Sequence, residues 1–301
     1  MDTLTLSKQA DLISAHDYYL STNVVADFCN YFADFLVGRV FNPPYVTRTL
    51  RPKCQYVFTS FEHAWSQYGV DLANQEMAER IRCYQMPLRE AVAARDDEKT
   101  IALIQNVFSE KLIASNHQEW LTENQQGVAE LLHVACEKLT EPSPEFDAFG
   151  REGGPRMTAS LSKIYALLIG DFLSYESRVA AGLCYMVRSF CLERGIDLPA
   201  ELQLGRIQGW GKSKKDNGRN ASWGTNVFPS IDRIKKKEKR ESQYARSNTL
   251  ASWLVVESVR LARERGAHQS NFWLNTPQAM RRVEAALYMI GAKLPEVDPA
   301  E

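Results

Sequence analysis

The sequence predicts an all-α fold built from two packed helical regions. Three observations carry that expectation. Apolar residues recur with helical period along most of the chain, start and stop residues punctuate the later helices, and strand-like runs are scarce. With 301 residues, 45% apolar and 24% charged, the chain can bury a sizeable core, and wholesale disorder is excluded. The formal net charge of −1 points to no partner by its total, so the distribution of charge has to speak instead.

Taken in order, Val25, Phe28, Phe32, Phe35 and Leu36 mark one face of a helix over about 22–38. Asn42-Pro-Pro-Tyr45 breaks the chain, and Tyr56-Val-Phe58 is the best strand candidate. A helical tract from about Ser60 to Lys138 follows, with breaks expected near Gly69, Pro87, Arg95–Asp97 and Ser115–Asn116. The stretch Glu141-Pro-Ser-Pro-Glu145 and the loop from Gly150 to Pro155 form the natural boundary between regions 1–150 and 151–301.

Three later helices have clear ends. One spans about Ser174 to Arg194, with Gly195 placed for a left-handed cap and Pro199 beyond it. The next runs from about Ser247 to Arg265 and closes at Gly266. The last starts at Thr276-Pro277, presents Met280, Val283, Leu287 and Ile290, and stops at Gly291.

The six cysteines form no Cys-x-x-Cys pair in a chain too long for a disulfide scaffold, so all are expected to be reduced and structural. The five histidines show no ligand spacing, and no metal or other cofactor is expected. The amino terminus lacks a basic leader and an apolar run, and no stretch approaches bilayer-spanning length, which makes a cytoplasmic location the expectation.

Charge is segregated. Between Gly205 and Arg246 stand twelve Lys/Arg against four Asp/Glu, a local excess of eight that leaves about −9 for the remainder. Within it, Gln208 to Asn220 mixes glycines and small polar residues with cations around Trp210. Glycines let backbone N–H groups approach phosphates, lysines supply salt-sensitive charge, and an aromatic can stack on an unpaired base. Arg206, Lys212, Lys214, Lys215, Arg219, Lys235, Lys236 and Lys237, with Trp210 and Arg178, are the candidate nucleic-acid contacts. Gly211-Lys-Ser213 is not a P-loop, because Arg206 occupies the position of its first glycine. A solvated surface loop, or a dock for an acidic protein or membrane surface, would share this composition.

A second passage, Arg156 to Ala181, reads as a helix, a tight turn at Gly170-Asp171 and a second helix opening near Ser174. If Ser174 or Tyr175 caps that helix, Glu176 falls in its first turn, where the dipole and free N–H groups favour negative charge. Ser162-Lys163 followed by Tyr175-Glu176-Ser-Arg-Val179 resembles the signature of helix-hairpin-helix DNA glycosylases, in particular the bacterial 8-oxoguanine-glycosylase-like group. The resemblance covers about 25 residues. It implies an active-site cleft between the two helical regions and excision of a modified base flipped out of double-stranded DNA. It also implies that Lys163 matches the family lysine and Glu176 its aspartate. Some such glycosylases act in prokaryotic antiviral defence on hypermodified phage cytosine, a role the resemblance suggests here. Glutamate stands in place of the usual aspartate, the Leu-Pro-Gly-Val-Gly hairpin is absent, and the lysine-to-acid spacing is short.

The residue types suit that chemistry. Breaking an N-glycosidic bond builds positive charge on the deoxyribose, which a fixed carboxylate stabilises while orienting water. A lysine can attack C1′ and form a Schiff base, or simply hold phosphate. Phe58, Trp65, Trp210, Trp223 and Trp253 are candidate faces for a flipped base, though tryptophans and phenylalanines also fill cores. Plainer readings stand beside these: Lys163 as a solvent-facing residue, Glu176 as a cap, Asp171 as a rival acid. A non-enzymatic nucleic-acid-binding subunit of a restriction or defence complex would share the basic segment, and a helical scaffold for an acidic protein is a third possibility.

Overall fold

The computed structural model describes residues 13–42, 44–48, 55–70, 72–109, 116–208, 218–269 and 272–295. Among them are eleven α-helices and one two-stranded sheet, so the fold is mostly α as the periodicity predicts. A short helix α1 (Ala15–Ser21) is capped by Ser14, whose hydroxyl accepts the Asp17 N–H at 3.0 Å. The expected early helix is α2 (Asn23–Val37), with Phe28, Cys29, Phe32 and Leu36 fully buried. Strand β2 (Gln55–Phe58) contains the predicted Tyr-Val-Phe run. It pairs antiparallel with β1 (Tyr45–Arg48), Tyr45 opposite Phe58. Sequence reading missed β1 because Tyr-Val-Thr-Arg directly after two prolines gives no alternation long enough to register.

The long tract divides into α3 (Phe61–Val70), α4 (Leu72–Ala93), α5 (Asp97–Ser109), α6 (Asn116–Glu123) and α7 (Val128–Thr140). Pro87 does not end a helix; it lies inside α4. Proline removes one intrahelical hydrogen bond, and packing of α4 against α3, α5, α7 and α8 (Ala159–Leu168) holds the segment regardless. The break at Arg95 is real, with φ at +56°. Helix α7 starts at the left-handed Gly127, and its first N–H groups are satisfied from far away in sequence. Asp97 accepts from Gly127 at 2.7 Å and Ala129 at 2.8 Å.

Beyond residue 150 the helices are α8, α9 (Ser177–Arg194), α10 (Lys237–Arg265) and α11 (Ala279–Ile290). Helix α9 ends at Gly195 with φ +62°, as its sequence predicts. Helix α10 starts ten residues before the expected Ser247, because Lys237 to Arg246 is made of good helix formers whose charge masked their propensity. Helix α11 starts after Gln278, two residues beyond the predicted Thr276 cap. A single hydrophobic core runs from Tyr19 to Leu294, drawing on both sides of the 141–155 passage. No helix among the described residues is long and apolar enough to cross a membrane.

One backbone contact fixes the relation of α9 to α11. A Cβ at Gly182 would lie 2.4 Å from the Leu287 carbonyl oxygen, and one at Gly291 would lie 1.8 Å from that of Arg178. Only hydrogen fits at both positions, so the helices touch backbone to backbone. The hydroxyl of Tyr45 donates to the Ile290 carbonyl at 2.7 Å, tying the hairpin to the end of α11.

Candidate functional site

The turn between α8 and α9 is held by two other helices. On α10, the Ser252 hydroxyl accepts the Leu173 N–H at 3.0 Å, and the Tyr244 hydroxyl donates to the Tyr175 carbonyl. On α11, Glu284 accepts the Ser174 N–H at 2.8 Å, and Arg281 donates to the Phe172 carbonyl. Tyr175 is fully buried and its hydroxyl donates to the Gly205 carbonyl at 2.7 Å. Residues 172–175 are thus clamped, and Glu176 emerges from a rigid base.

Glu176 is the N-cap of α9 rather than a first-turn residue. Its Oε1 accepts the N–H groups of Arg178 at 2.9 Å and Val179 at 3.3 Å. Of the expected caps, Tyr175 donates its hydroxyl to the Gly205 carbonyl, and Ser174 lies two residues before the cap position with its N–H held by Glu284. Oε2 carries no hydrogen bond among the described residues, and the side chain is half-buried. Lys163 lies on α8, also half-buried. Both act on one further group, Glu284. Burial pushes the Glu284 carboxyl above its ordinary value; Arg281, the Ser174 N–H and, less strongly, Lys163 pull it back, and Glu176 adds to the rise. The charges of the predicted pair, thirteen residues apart in sequence, are thus both felt by a carboxyl that sequence reasoning did not single out. Asp171, the rival acid, is exposed at the surface of the turn.

The cations fall into three groups. Arg178 lies over the Tyr288 ring at 4.4 Å. Arg219 donates to the Ser177 hydroxyl at 3.0 Å and to the Ala292 carbonyl at 3.3 Å. Burial lowers the Arg219 pKa from its ordinary value, Arg178 lowers it further, and Glu176 and Tyr288 oppose them. The opposed charges of Arg178 and Glu176 thus both act on Arg219, which Ser177 holds next to the cap residue.

Lys235, Lys236 and Lys237 form the second group, exposed at the start of α10. That end of the helix is fixed by Glu241, which is 2% exposed and accepts from Arg156 through both oxygens, at 2.8 and 2.7 Å, and from the Met157 N–H at 3.0 Å. Tyr244, which grips Tyr175, lies about 10 Å along the helix axis from Lys237, so the lysines and the turn belong to one neighbourhood.

Arg206 forms the third group and departs from the expectation of a phosphate contact. It is buried, and its Nε donates to the Phe228 carbonyl at 3.2 Å. Gly205 places it there: a Cβ would lie 2.6 Å from Ile231 and 2.7 Å from the Ser247 hydroxyl, so the strand of chain sinks into the core at this point. A basic run read as sequence cannot show which of its members turns inward.

Trp210, Lys212, Lys214 and Lys215 lie outside the described residues. Both flanks of that segment are fixed at one residue, since the Ser177 hydroxyl donates to the Ile207 carbonyl at 3.0 Å and accepts from Arg219. On the return, the Gly218 carbonyl accepts the Leu294 N–H at 2.6 Å. Of the aromatic candidates, Phe58 and Trp223 are core residues. Trp253 meets His16 edge-on at 4.9 Å, and Trp65 stacks on Trp273 at 5.6 Å under Arg282. The ring at the turn is instead Tyr288, backed by Tyr68 at 5.7 Å.

The start of α9 thus gathers a cap carboxylate and two arginines on one side of Tyr288. Compared with known proteins, the chain matches no family model, no curated protein and no solved structure.

Proposed function

We propose that this protein is a DNA glycosylase that cleaves the N-glycosidic bond of a modified base and leaves an abasic site. Glu176 is the essential acid and Lys163 the assisting residue, with antiphage defence against modified phage DNA as the setting. One observation carries the reading. Among the described residues Glu176 keeps one carboxylate oxygen without a hydrogen bond at the start of α9, while Ile207 and Arg219, on either side of Lys212, Lys214 and Lys215, are both anchored on the adjacent Ser177. The phosphate grip and the carboxylate then act on the same nucleotide. As the deoxyribose turns cationic, the carboxylate stabilises it electrostatically and orients the attacking water. Arg178, Arg219 and the exposed lysines hold phosphates, and Lys163 either completes that grip or attacks C1′ to give a Schiff base.

The test is release of free base, followed by mass spectrometry, from several DNAs including glucosylated phage DNA. Wild-type protein is expected to release a base and leave abasic sites, whereas Glu176→Gln binds the same DNA and releases none. Borohydride trapping of a covalent complex through Lys163 separates a lyase from a simple hydrolase. Salt-sensitive DNA binding with no base released from any substrate would leave the non-enzymatic binding subunit as the correct reading, and full excision by Glu176→Gln would displace the site.

A further inference from the structure

The β1–β2 hairpin takes no part in the chemistry above, although it is seated at the same corner. Residues 290–294, at the end of α11, hold it. The Tyr45 hydroxyl donates to the Ile290 carbonyl at 2.7 Å. The Thr47 hydroxyl donates to the Lys293 carbonyl at 2.9 Å and accepts the Lys293 N–H at 3.1 Å. The same five residues hold the return of the basic segment, with Arg219 on the Ala292 carbonyl and Gly218 on the Leu294 N–H. They also meet the start of α9, since Gly291 packs on the Arg178 carbonyl. Hairpin, basic segment and the start of α9 therefore share one anchor.

The register divides the hairpin into two faces. Tyr45 stands opposite Phe58 and Thr47 opposite Tyr56, and on this side Tyr45, Thr47 and Phe58 are buried. On the other side Val46 stands opposite Val57, and the two are 43% and 46% exposed. Gln55 is exposed beside them. Threonine would support the strands as well as valine does without leaving apolar surface in water. The surrounding chain is cationic: between Val40 and Phe61 stand Arg48, Arg51 and Lys53, with no Asp or Glu. Two such hairpins set face to face would repel each other. A polyanion would not.

We infer that this face is a second DNA-contact surface, a cationic β-ribbon that enters the major groove beside the nucleotide held at the corner. A two-stranded ribbon fits that groove, which is about 12 Å wide. The cations of the ribbon segment meet the phosphates along the groove. Val46 and Val57 meet the C5 edges of pyrimidines on its floor, where thymine carries its methyl group. The inference rests on the nucleic-acid part of the proposed function and not on base excision, since a non-enzymatic binder would use the hairpin equally.

The experiment measures affinity for a short DNA duplex by fluorescence anisotropy, and melting temperature, for wild type, Val46→Glu, Val57→Glu and Val46→Lys. Either glutamate is expected to weaken binding about tenfold or more, and the lysine to keep or tighten it, with melting unchanged. Guanine N7 lies in the major groove. Its protection from dimethyl sulfate should appear with wild type and be lost with Val46→Glu. Should a glutamate variant fail to fold, Val46→Gln against Val46→Lys carries the same comparison, with the lysine the tighter binder. Equal effects of glutamate and lysine would overturn the inference while wild-type DNA binding stands. So would affinities within about threefold of wild type for both glutamates, or N7 protection that Val46→Glu leaves intact. A wild-type dimer in sedimentation that Val46→Glu converts to monomer would assign the face to a second copy and overturn it too. If wild-type protein binds no DNA, the nucleic-acid reading itself fails and takes this inference with it.

Discussion

Replacing Glu176 by serine separates two roles that one side chain holds at the start of α9. As a cap, Glu176 satisfies the N–H groups of Arg178 and Val179 and places negative charge at the positive end of an 18-residue helix. Alanine removes both contributions. The lost cap costs about 1 kcal/mol and the lost charge up to about 1 kcal/mol more. For a chain of this length the total corresponds to a fall in Tm of about 2–3 °C. Serine is among the best N-caps, so Glu176→Ser should recover most of that loss and melt within about 2 °C of wild type.

Activity should not follow stability. If the carboxylate faces a sugar that becomes cationic, its loss costs about 3–4 kcal/mol of transition-state stabilisation, or at least about 100-fold in rate. The assay pairs thermal melting with single-turnover base release for wild type, Glu176→Ala and Glu176→Ser. The expected pattern is a ladder in Tm with both variants equally inactive. A folded Glu176→Ser protein within about threefold of the wild-type rate would reduce Glu176 to a cap.

Four further outcomes can be measured. Gly291→Ala must fit a methyl group 1.8 Å from the Arg178 carbonyl oxygen and 2.7 Å from the Gly182 nitrogen. Neither backbone atom can swing away, so a loss of about 3 kcal/mol or more is expected by chemical denaturation, and an unchanged midpoint would refute the close contact. Replacing Lys235, Lys236 and Lys237 together by alanine should leave Tm unchanged, since all three are exposed. The slope of log affinity against log salt, followed by fluorescence anisotropy on duplex DNA, should become shallower by about 0.9 for each phosphate contact removed. Arg206→Ala should do the reverse, lowering Tm with little change in that slope. For Glu284, a folded pKa above the ordinary 4.5 means that the native state binds this proton more tightly than the unfolded chain. The resulting stabilisation is complete below the unfolded value and is lost as pH rises through the folded one. Melting temperature relative to Glu284→Gln should therefore decline as pH rises from about 4.5, and a rising difference would contradict the assignment.

What the sequence revealed of this fold was whatever is encoded locally. The 3.6-residue period of α2 and α9 and the glycine stop at Gly195 all appear where expected, because nearby residues decide them. Pro87 misled because a tertiary environment around α4 outweighed one missing hydrogen bond. The start of α10 was hidden by its charge, and its true beginning is fixed by Glu241 gripping Arg156, a contact across 85 residues. The candidate site divides the same way. Lys163 and Glu176 stand out as a short motif, whereas Glu284 joins them only through a hydrogen bond to Ser174 across 110 residues. No pattern within α11 distinguishes that glutamate from a surface charge. Arg206 shows the converse: composition placed it in a basic surface, and the tight packing at Gly205 drew it inside.

The position of the arginines matters more than the size of the basic segment. A reaction at C1′ requires the carboxylate to reach a sugar, and that sugar is tethered to its own phosphates. Lysines at the start of α10 can hold a duplex by charge alone without bringing any particular sugar to Glu176. Arg178 and Arg219 differ, because they flank the cap carboxylate, and Arg219 is held by the serine that follows it. Crowded guanidinium groups repel each other until an anion comes between them. A phosphate seated there would be the one adjacent to the reacting nucleotide. Substituting Arg219 with lysine keeps the charge and removes the fork that reaches both Ser177 and Ala292. Under the proposed reading this change slows base release at saturating DNA more than it weakens binding. If it weakens binding alone, the arginine pair grips a phosphate remote from the reacting sugar, and the link between clamp and carboxylate does not hold.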